Sequence, residues 1–366
     1  MGLVCLLHWA VCLPGERRGL HLETAHRMAA AWVQQRGEMD RMTKSNRDRP
    51  FEDTCADSAL SRRRLLVAGA AAVTGMLLGP RALRAQPLSA TALAFGGDDM
   101  IVAVGSEVSR LGANGRWELL PAPGTTAVLA LAAHETRPGL LVAGLASGEI
   151  AASVDGGRNW EDRSSGLPGG RVGALAVAAA KPETFYASVL GDGLWQSNDE
   201  GQSWSLAMDR PWLNEQEQDV VAIASVELAT GMGGIWIYAG TNAGLTRVPD
   251  CFCRWQDVQP GDAMDALASG SAPKSAAPLP SGEIVNALAS TPAEPETLYA
   301  ALPSGVWASH DAGFVWSRLI EGRSSAVAVH PRKVAHVVAL IDGALQQTVN
   351  GGASWSALQP SQGAPQ

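Results

Sequence analysis

Carboxylates recur at one place in a short phrase along this chain. Asp155, Asp199 and Asp311 each stand third in Ser-x-Asp-x-Gly-x-x-Trp, in runs that start at Ser153, Ser197 and Ser309, pass through Gly157, Gly201 and Gly313, and end at Trp160, Trp204 and Trp316. A fourth run, with Thr348, Asn350, Gly352 and Trp355, makes conservative replacements only. A fifth keeps Asp250 and Trp255 but has Val248 and Phe252 at the Ser and Gly places. Gathered in a cleft, such acids could act as a general acid and base on a glycosidic bond. Spread evenly along a chain, they do something else. An Asp can accept backbone N–H bonds across a tight turn, the Gly supplies a left-handed backbone, and the hydroxyl ties down the incoming strand. The Trp then covers the turn as an apolar plate. The even spacing selects this second reading, in which the phrase is a folding device.

The remaining reactive residues are few. Tyr186, Tyr238 and Tyr299 fall at one position of successive units, which marks a repeated packing position rather than a nucleophile. Cys251 and Cys253 occupy the turn of the fifth run. Two thiols with no nearby His fall short of a structural zinc site, so a local disulfide or two packed thiols is expected. No cofactor and no metal is expected, since no haem-attachment motif and no phosphate loop is present. The whole chain carries 28 Lys and Arg against 36 Asp and Glu, a net charge of −8. That balance argues against nucleic acid as a partner, because phosphates need a basic face.

The elements that position these residues follow from the tryptophans. Trp117, Trp160, Trp204, Trp255, Trp316 and Trp355 stand 43, 44, 51, 61 and 39 residues apart, periods that mean a repeat architecture. Upstream of each phrase lie short β-prone runs, such as 172–178, 184–189 and 194–197 in one unit and 284–289, 297–301 and 306–309 in another. Each unit therefore offers four short strands. Six in a row predict an all-β fold, a six-bladed β-propeller over residues 88–359, with Ala-rich first strands around its axis. The first unit starts with its own inner strand (90–95) and the last ends with its own outer strand after Trp355, so closure borrows no strand.

Residues 61–86 place a basic cluster before an apolar run of about fifteen residues, a signal-peptide layout too short for a confident spanning helix. Ser61-Arg62-Arg63-Arg64-Leu65-Leu66 resembles the twin-arginine signal, with Arg62 and Arg63 as its pair and Ala85 as the expected cleavage site. Residues 1–60 carry no periodicity and read as a non-native or disordered extension, with the true start at Met39 or Met42. Loss of residues 1–85 leaves 15 basic and 28 acidic residues, a mature charge of −13. The mature protein is thus expected to be periplasmic or otherwise exported, acidic, and without a spanning helix.

The phrase resembles the Asp-box or BNR repeat, and the resemblance covers the chain from about 88 to 359. Among families built on this repeat, the chain looks most like bacterial relatives of the photosystem II stability and assembly factor. That likeness implies a non-enzymatic propeller that binds a protein partner, a membrane-bound complex that it assembles or stabilises. The family typically has seven blades and a basic patch, from which this chain departs. The rival is a carbohydrate-active propeller, sialidase-like or glycan-binding. A sialidase would need an arginine triad and a Tyr nucleophile activated by Glu. No Arg-Ile-Pro signature precedes the first full repeat, and all three tyrosines are absorbed by it. Recognition belongs on the long connections between blades. Two flank the fourth unit: 209–219, with Trp212, Glu215, Glu217 and Asp219 as candidate contacts, and the Pro/Ala/Ser-rich insertion 259–282, expected to be flexible.

Overall fold

A computed structural model describes residues 90–228, 234–258 and 277–358. The expected extension 1–60 and signal 61–85, with Arg62 and Arg63, lie outside the described residues, as do residues 259–276 of the insertion.

Six four-stranded antiparallel sheets follow one another along the chain, each in simple up-and-down order, and no helix occurs among the described residues. The inner strands are Ala90–Gly96, Val128–His134, Val172–Ala178, Val220–Glu227, Ala287–Ser290 and Ser324–His330. Each contacts the next, and the last contacts the first, so the sheets close into a six-bladed propeller. Closure joins blade 6 directly to blade 1, each complete in its own four strands, as the sequence predicts.

A common register explains how six different strands share one axis. Leu93-Ala94, Leu131-Ala132, Leu175-Ala176, Ile223-Ala224, Leu288-Ala289 and Val327-Ala328 all line the space between the inner strands. The second residue of every pair is alanine, whose small side chain suits a place where six backbones converge. The hydrophobic core is correspondingly divided into six clusters, each built from two neighbouring blades. The seam between blades 3 and 4, for example, packs Ala174, Ala176, Tyr186 and Leu194 against Val220, Ile223, Ile237 and Val248. The closing seam packs Leu93, Phe95, Met100 and Val102 against Ala326, Ala328, Val338 and Leu340. Each buried aliphatic side chain contributes about 1.5–3 kcal/mol, and no blade can bury its faces without its neighbours. Gly144 and Gly240 permit the close approach: a Cβ there would stand 2.5 Å from Val172 and 2.7 Å from Val285, the valines that begin or precede the next inner strand.

Hydrogen bonds from blade to blade mark the ends of the inner strands, and the sequence reading missed them. His134 Nε2 lies 3.0 Å from the Ala179 carbonyl, and Ala179 N donates to Ser225 Oγ at 3.1 Å. Ser290 Oγ donates to the Ser225 carbonyl at 3.0 Å, and Thr291 Oγ1 to the Pro331 carbonyl at 2.6 Å. His330 Nε2 then meets Asp98 Oδ1 at 2.9 Å, and Arg332 reaches Asp98 Oδ2 at 2.9 Å, closing blade 6 onto blade 1. The Arg332 bond, followed by that from His330, holds the Asp98 carboxyl below its ordinary range.

Candidate functional site

Up-and-down blades put the turns between strands one and two, and three and four, on one face. The turns between strands two and three share the opposite face with the connections between blades. The repeated phrase forms the turn between strands three and four, so all its copies lie on the first face.

In each full copy the hydroxyl and the acid do what the spacing requires. Ser153, Ser197 and Ser309 donate Oγ–H to Oδ1 of Asp155, Asp199 and Asp311 at 2.8, 2.7 and 2.7 Å. Their oxygens in turn accept the backbone N–H of Gly157, Gly201 and Gly313 at 2.8, 2.8 and 2.9 Å. The carboxylates also accept the N–H of Asn159, Ser203 and Val315, each at 2.9 Å. Thr348 and Asn350 reproduce the set, with Gly352 N on Thr348 Oγ1 at 2.9 Å and Ser354 N on Asn350 Oδ1 at 3.0 Å. The Gly positions are left-handed, at φ 86°, 82°, 87° and 94°. Bonds from Asn159 and Ser153 bring Asp155 down to about 2, and bonds from Ser203 and Ser197 bring Asp199 down to about 2. A carboxylate so held is a poor proton donor near neutral pH.

The tryptophans do more than cover the turn. Trp160 Nε1 donates to the Pro121 carbonyl at 2.9 Å, Trp204 Nε1 to Arg163 at 2.7 Å, and Trp255 Nε1 to Asp209 at 2.8 Å, each acceptor ending the outer strand of the preceding blade or lying just beyond it. They staple neighbouring blades. Trp316 instead donates to Gly313 within its own turn at 2.8 Å, while its backbone N–H reaches Ala277 at 2.8 Å. Ala277 also bridges Val315, so the described end of the 259–282 insertion contacts the repeated turn of blade 5 rather than staying with the between-blade connections. The turn residues Trp117 and Trp355 have buried Nε1 atoms without an acceptor among the described residues.

The fifth copy departs in the way its sequence foretells. Val248 is fully buried and cannot replace the Ser bonds, Phe252 stands at φ 50°, and a Cys251–Cys253 disulfide spans the turn with a Cα separation of 5.4 Å. Asp250 lies 3.9 Å from the Lys181 ammonium. Of the two expected states of these cysteines, the disulfide is the one present. No cluster of potential metal ligands occurs among the described residues.

The tyrosines are packing residues. Tyr186, Tyr238 and Tyr299 are almost fully buried on second strands. Burial pushes Tyr186 and Tyr299 up to about 12 and raises Tyr238. Tyr238 donates to the Ala312 carbonyl at 2.8 Å, and Tyr299 to Val334 at 3.0 Å. The axial cavity, about 150 Å³, has Glu135 as the only carboxylate among its lining residues. A hollow of about 130 Å³ between blades 2 and 3 does gather Asp155, Glu161 and Glu200. There Asp155 is engaged in its turn, while Glu161 pairs with Arg163 at 2.6 Å and Glu200 with Arg137 at 2.5 Å. Each of these acids is held by a partner within the fold.

On the opposite face the connection between blades 3 and 4 stands up as a small hairpin, Trp212–Leu213 paired with Gln216–Glu217. Asn214 and Glu215 make its tip with φ 51° and 64°, the two successive left-handed residues a tight hairpin turn requires. Arg210 braces its base, bonded to Glu217 and 3.4 Å from Asp219, while Asp219 Oδ1 accepts Gly191 N at 2.8 Å. Gln218 is buried, its N–H on the Pro211 carbonyl at 2.9 Å. Trp212 is left 67% exposed, far beyond any other aromatic of the described core. The four candidate residues are thus brought together, with Glu217 and Asp219 as braces and Trp212 and Glu215 presented outward.

No known family and no curated protein matches the chain. Solved structures do. One is the GH74 enzyme of Niastella koreensis, with TM-score 0.52 and 17% identity over 73% of this chain and 45% of that one. The chain therefore spans less than half the length of that enzyme. Another is YCF48 from Cyanidioschyzon merolae, at TM-score 0.43 and 16% identity over 70% and 78% of the two chains. A third is YCF48 bound to D1 peptide, at TM-score 0.42 and 12% identity over 74% and 82%. The likeness to the Niastella koreensis enzyme is one of fold alone.

Proposed function

We propose that this protein is an exported, non-enzymatic binding scaffold, which assembles or stabilises a membrane-bound complex by gripping a protein partner through the Trp212 hairpin. One observation carries the reading: an indole 67% exposed on a hairpin whose base is braced by ion pairs. Leaving such a ring in water stabilises nothing in the blade, whereas a rigid aromatic is the side chain that most often anchors a protein interface. The engagement of the repeated carboxylates and the burial of the tyrosines support a scaffold over an enzyme. Export rests on the twin-arginine resemblance, and the membrane-bound client on the resemblance of the repeat. An exposed indole also suits the flat face of a sugar ring, which keeps a glycan as the second reading.

Capture from detergent-solubilised membranes tests the two readings. A protein retained by the parent and lost by Trp212→Ala, but kept by a control variant at exposed Leu206, supports the scaffold. Retention of glycans instead of protein with the same Trp212 dependence supports the second reading, and equal capture by Trp212→Ala overturns both.

A further inference from the structure

The turn of blade 4 is spanned by a disulfide. Where four other copies close with a hydroxyl, an Asp carboxylate or Asn carboxamide, and a glycine, this one has Val248, Phe252 and the Cys251–Cys253 disulfide. Both cysteines are exposed. The residue they bracket pays for closure in backbone conformation: Phe252 sits at φ 50°, where a bulky side chain is disfavoured and where the matching residues of the four full copies are glycines. Its ring packs edge-on against Tyr186 of blade 3, with centroids 6.1 Å apart, in the seam it shares with Met208 and Trp255. The disulfide is therefore accessible, closes a loop with a single intervening residue, and is coupled to an interblade seam.

We infer that Cys251–Cys253 is a thiol–disulfide exchange site that takes two electrons from an external dithiol. Asp250 precedes Cys251 and the exposed Arg254 follows Cys253, so negative charge is better tolerated on the Cys253 sulfur. A donor thiolate attacks Cys251 Sγ, its S–S bond to Cys253 breaks, and Cys253 leaves as the thiolate. The donor's second thiolate then attacks the mixed disulfide at the donor's sulfur and expels Cys251. The donor ends as a disulfide, Cys251 and Cys253 end as two thiols, and the two protons given up by the donor are taken up by them. Opening releases Phe252 from its left-handed backbone, which favours the reduced form. Structural disulfides behave oppositely, yielding only when the fold does.

The test uses the folded full-length chain with dithiothreitol, alkylation and peptide mass spectrometry, which separates Cys251 and Cys253 from Cys5, Cys12 and Cys55. The site should open while tryptophan fluorescence and near-UV circular dichroism stay native, at a rate within about tenfold of that in denaturant. Phe252→Asn, which tolerates the left-handed conformation, should shift the equilibrium toward the disulfide by about three- to tenfold. Cys253→Ser should accumulate a stable Cys251 adduct with oxidised glutathione. At equal thiol concentration a reduced two-cysteine peptide should reduce the site faster than reduced glutathione, and the reverse order would overturn the dithiol as donor. A site that resists reduction until the fold is lost overturns the inference, as does a Phe252→Asn shift toward the thiols.

Discussion

Asp199→Ala removes the acceptor of one repeated turn and leaves its donors in place. Three side-chain bonds go: from Ser197 Oγ at 2.7 Å, Ser203 N at 2.9 Å and Ser203 Oγ at 2.5 Å. Each is worth about 0.5–1.5 kcal/mol net, but the turn is half-exposed and water re-satisfies part of what is lost. The expected cost is about 1–2 kcal/mol, or roughly 2–8 °C in Tm for a domain of this size. Blade 6 supplies an internal control, since Asn350 fills the same role with Thr348 Oγ1 at 2.8 Å and Ser354 N at 3.0 Å. Asp199→Asn should therefore lose less than half as much. The acid also has a pH signature. Its pKa is brought from 3.8 to about 2, so its stabilisation is present above the unfolded value and is lost as pH falls from about 4 toward 2. Asp199→Asn should remove that contribution from the acid limb of the Tm profile. Equal losses for the Ala and Asn variants, or no loss with Ala, would refute the account of the turn.

Two further outcomes follow from the same reasoning. Trp204→Phe keeps an aromatic in the seam but leaves the Arg163 carbonyl without its 2.7 Å donor, and should cost about 1–3 kcal/mol in urea unfolding; a neutral result would mean that the indole acts by shape alone. Replacing Arg62 and Arg63 together by Lys should hold the precursor in the cytoplasm, because Lys lacks the planar guanidinium fork; unchanged export on cell fractionation would point to a different route.

Local chemistry was legible and long-range pairing was not. The residues of each turn lie within eight positions of one another, so their spacing in the sequence already carries the geometry found between Ser197 and Trp204. The strand 172–178 was legible for the same reason, being a continuous apolar run between turn residues. The Trp204 bond to Arg163 joins residues 41 positions apart, and the His330 bond to Asp98 spans 232, so neither leaves a local pattern. The one trace is the shared register of the inner strands, in which His134, Thr291 and His330 occupy matching places. The connection 209–219 reads as a loop because its strands are only two residues long, and its hairpin is fixed by Arg210 and by Gly191 of the neighbouring turn. At Cys251 and Cys253 the sequence left two states open, since pairing depends on whether Phe252 adopts a left-handed backbone.

The central claim is that Trp212 serves recognition and not folding. Its most direct test is to measure, on Trp212→Ala, both the affinity for the protein partner captured from solubilised membranes and the Tm of the propeller. The account predicts a loss of about 2 kcal/mol or more in binding, near thirtyfold in Kd, with Tm unchanged within a degree or so. A fall in Tm with affinity intact would contradict it, returning Trp212 to the core and moving the partner face elsewhere.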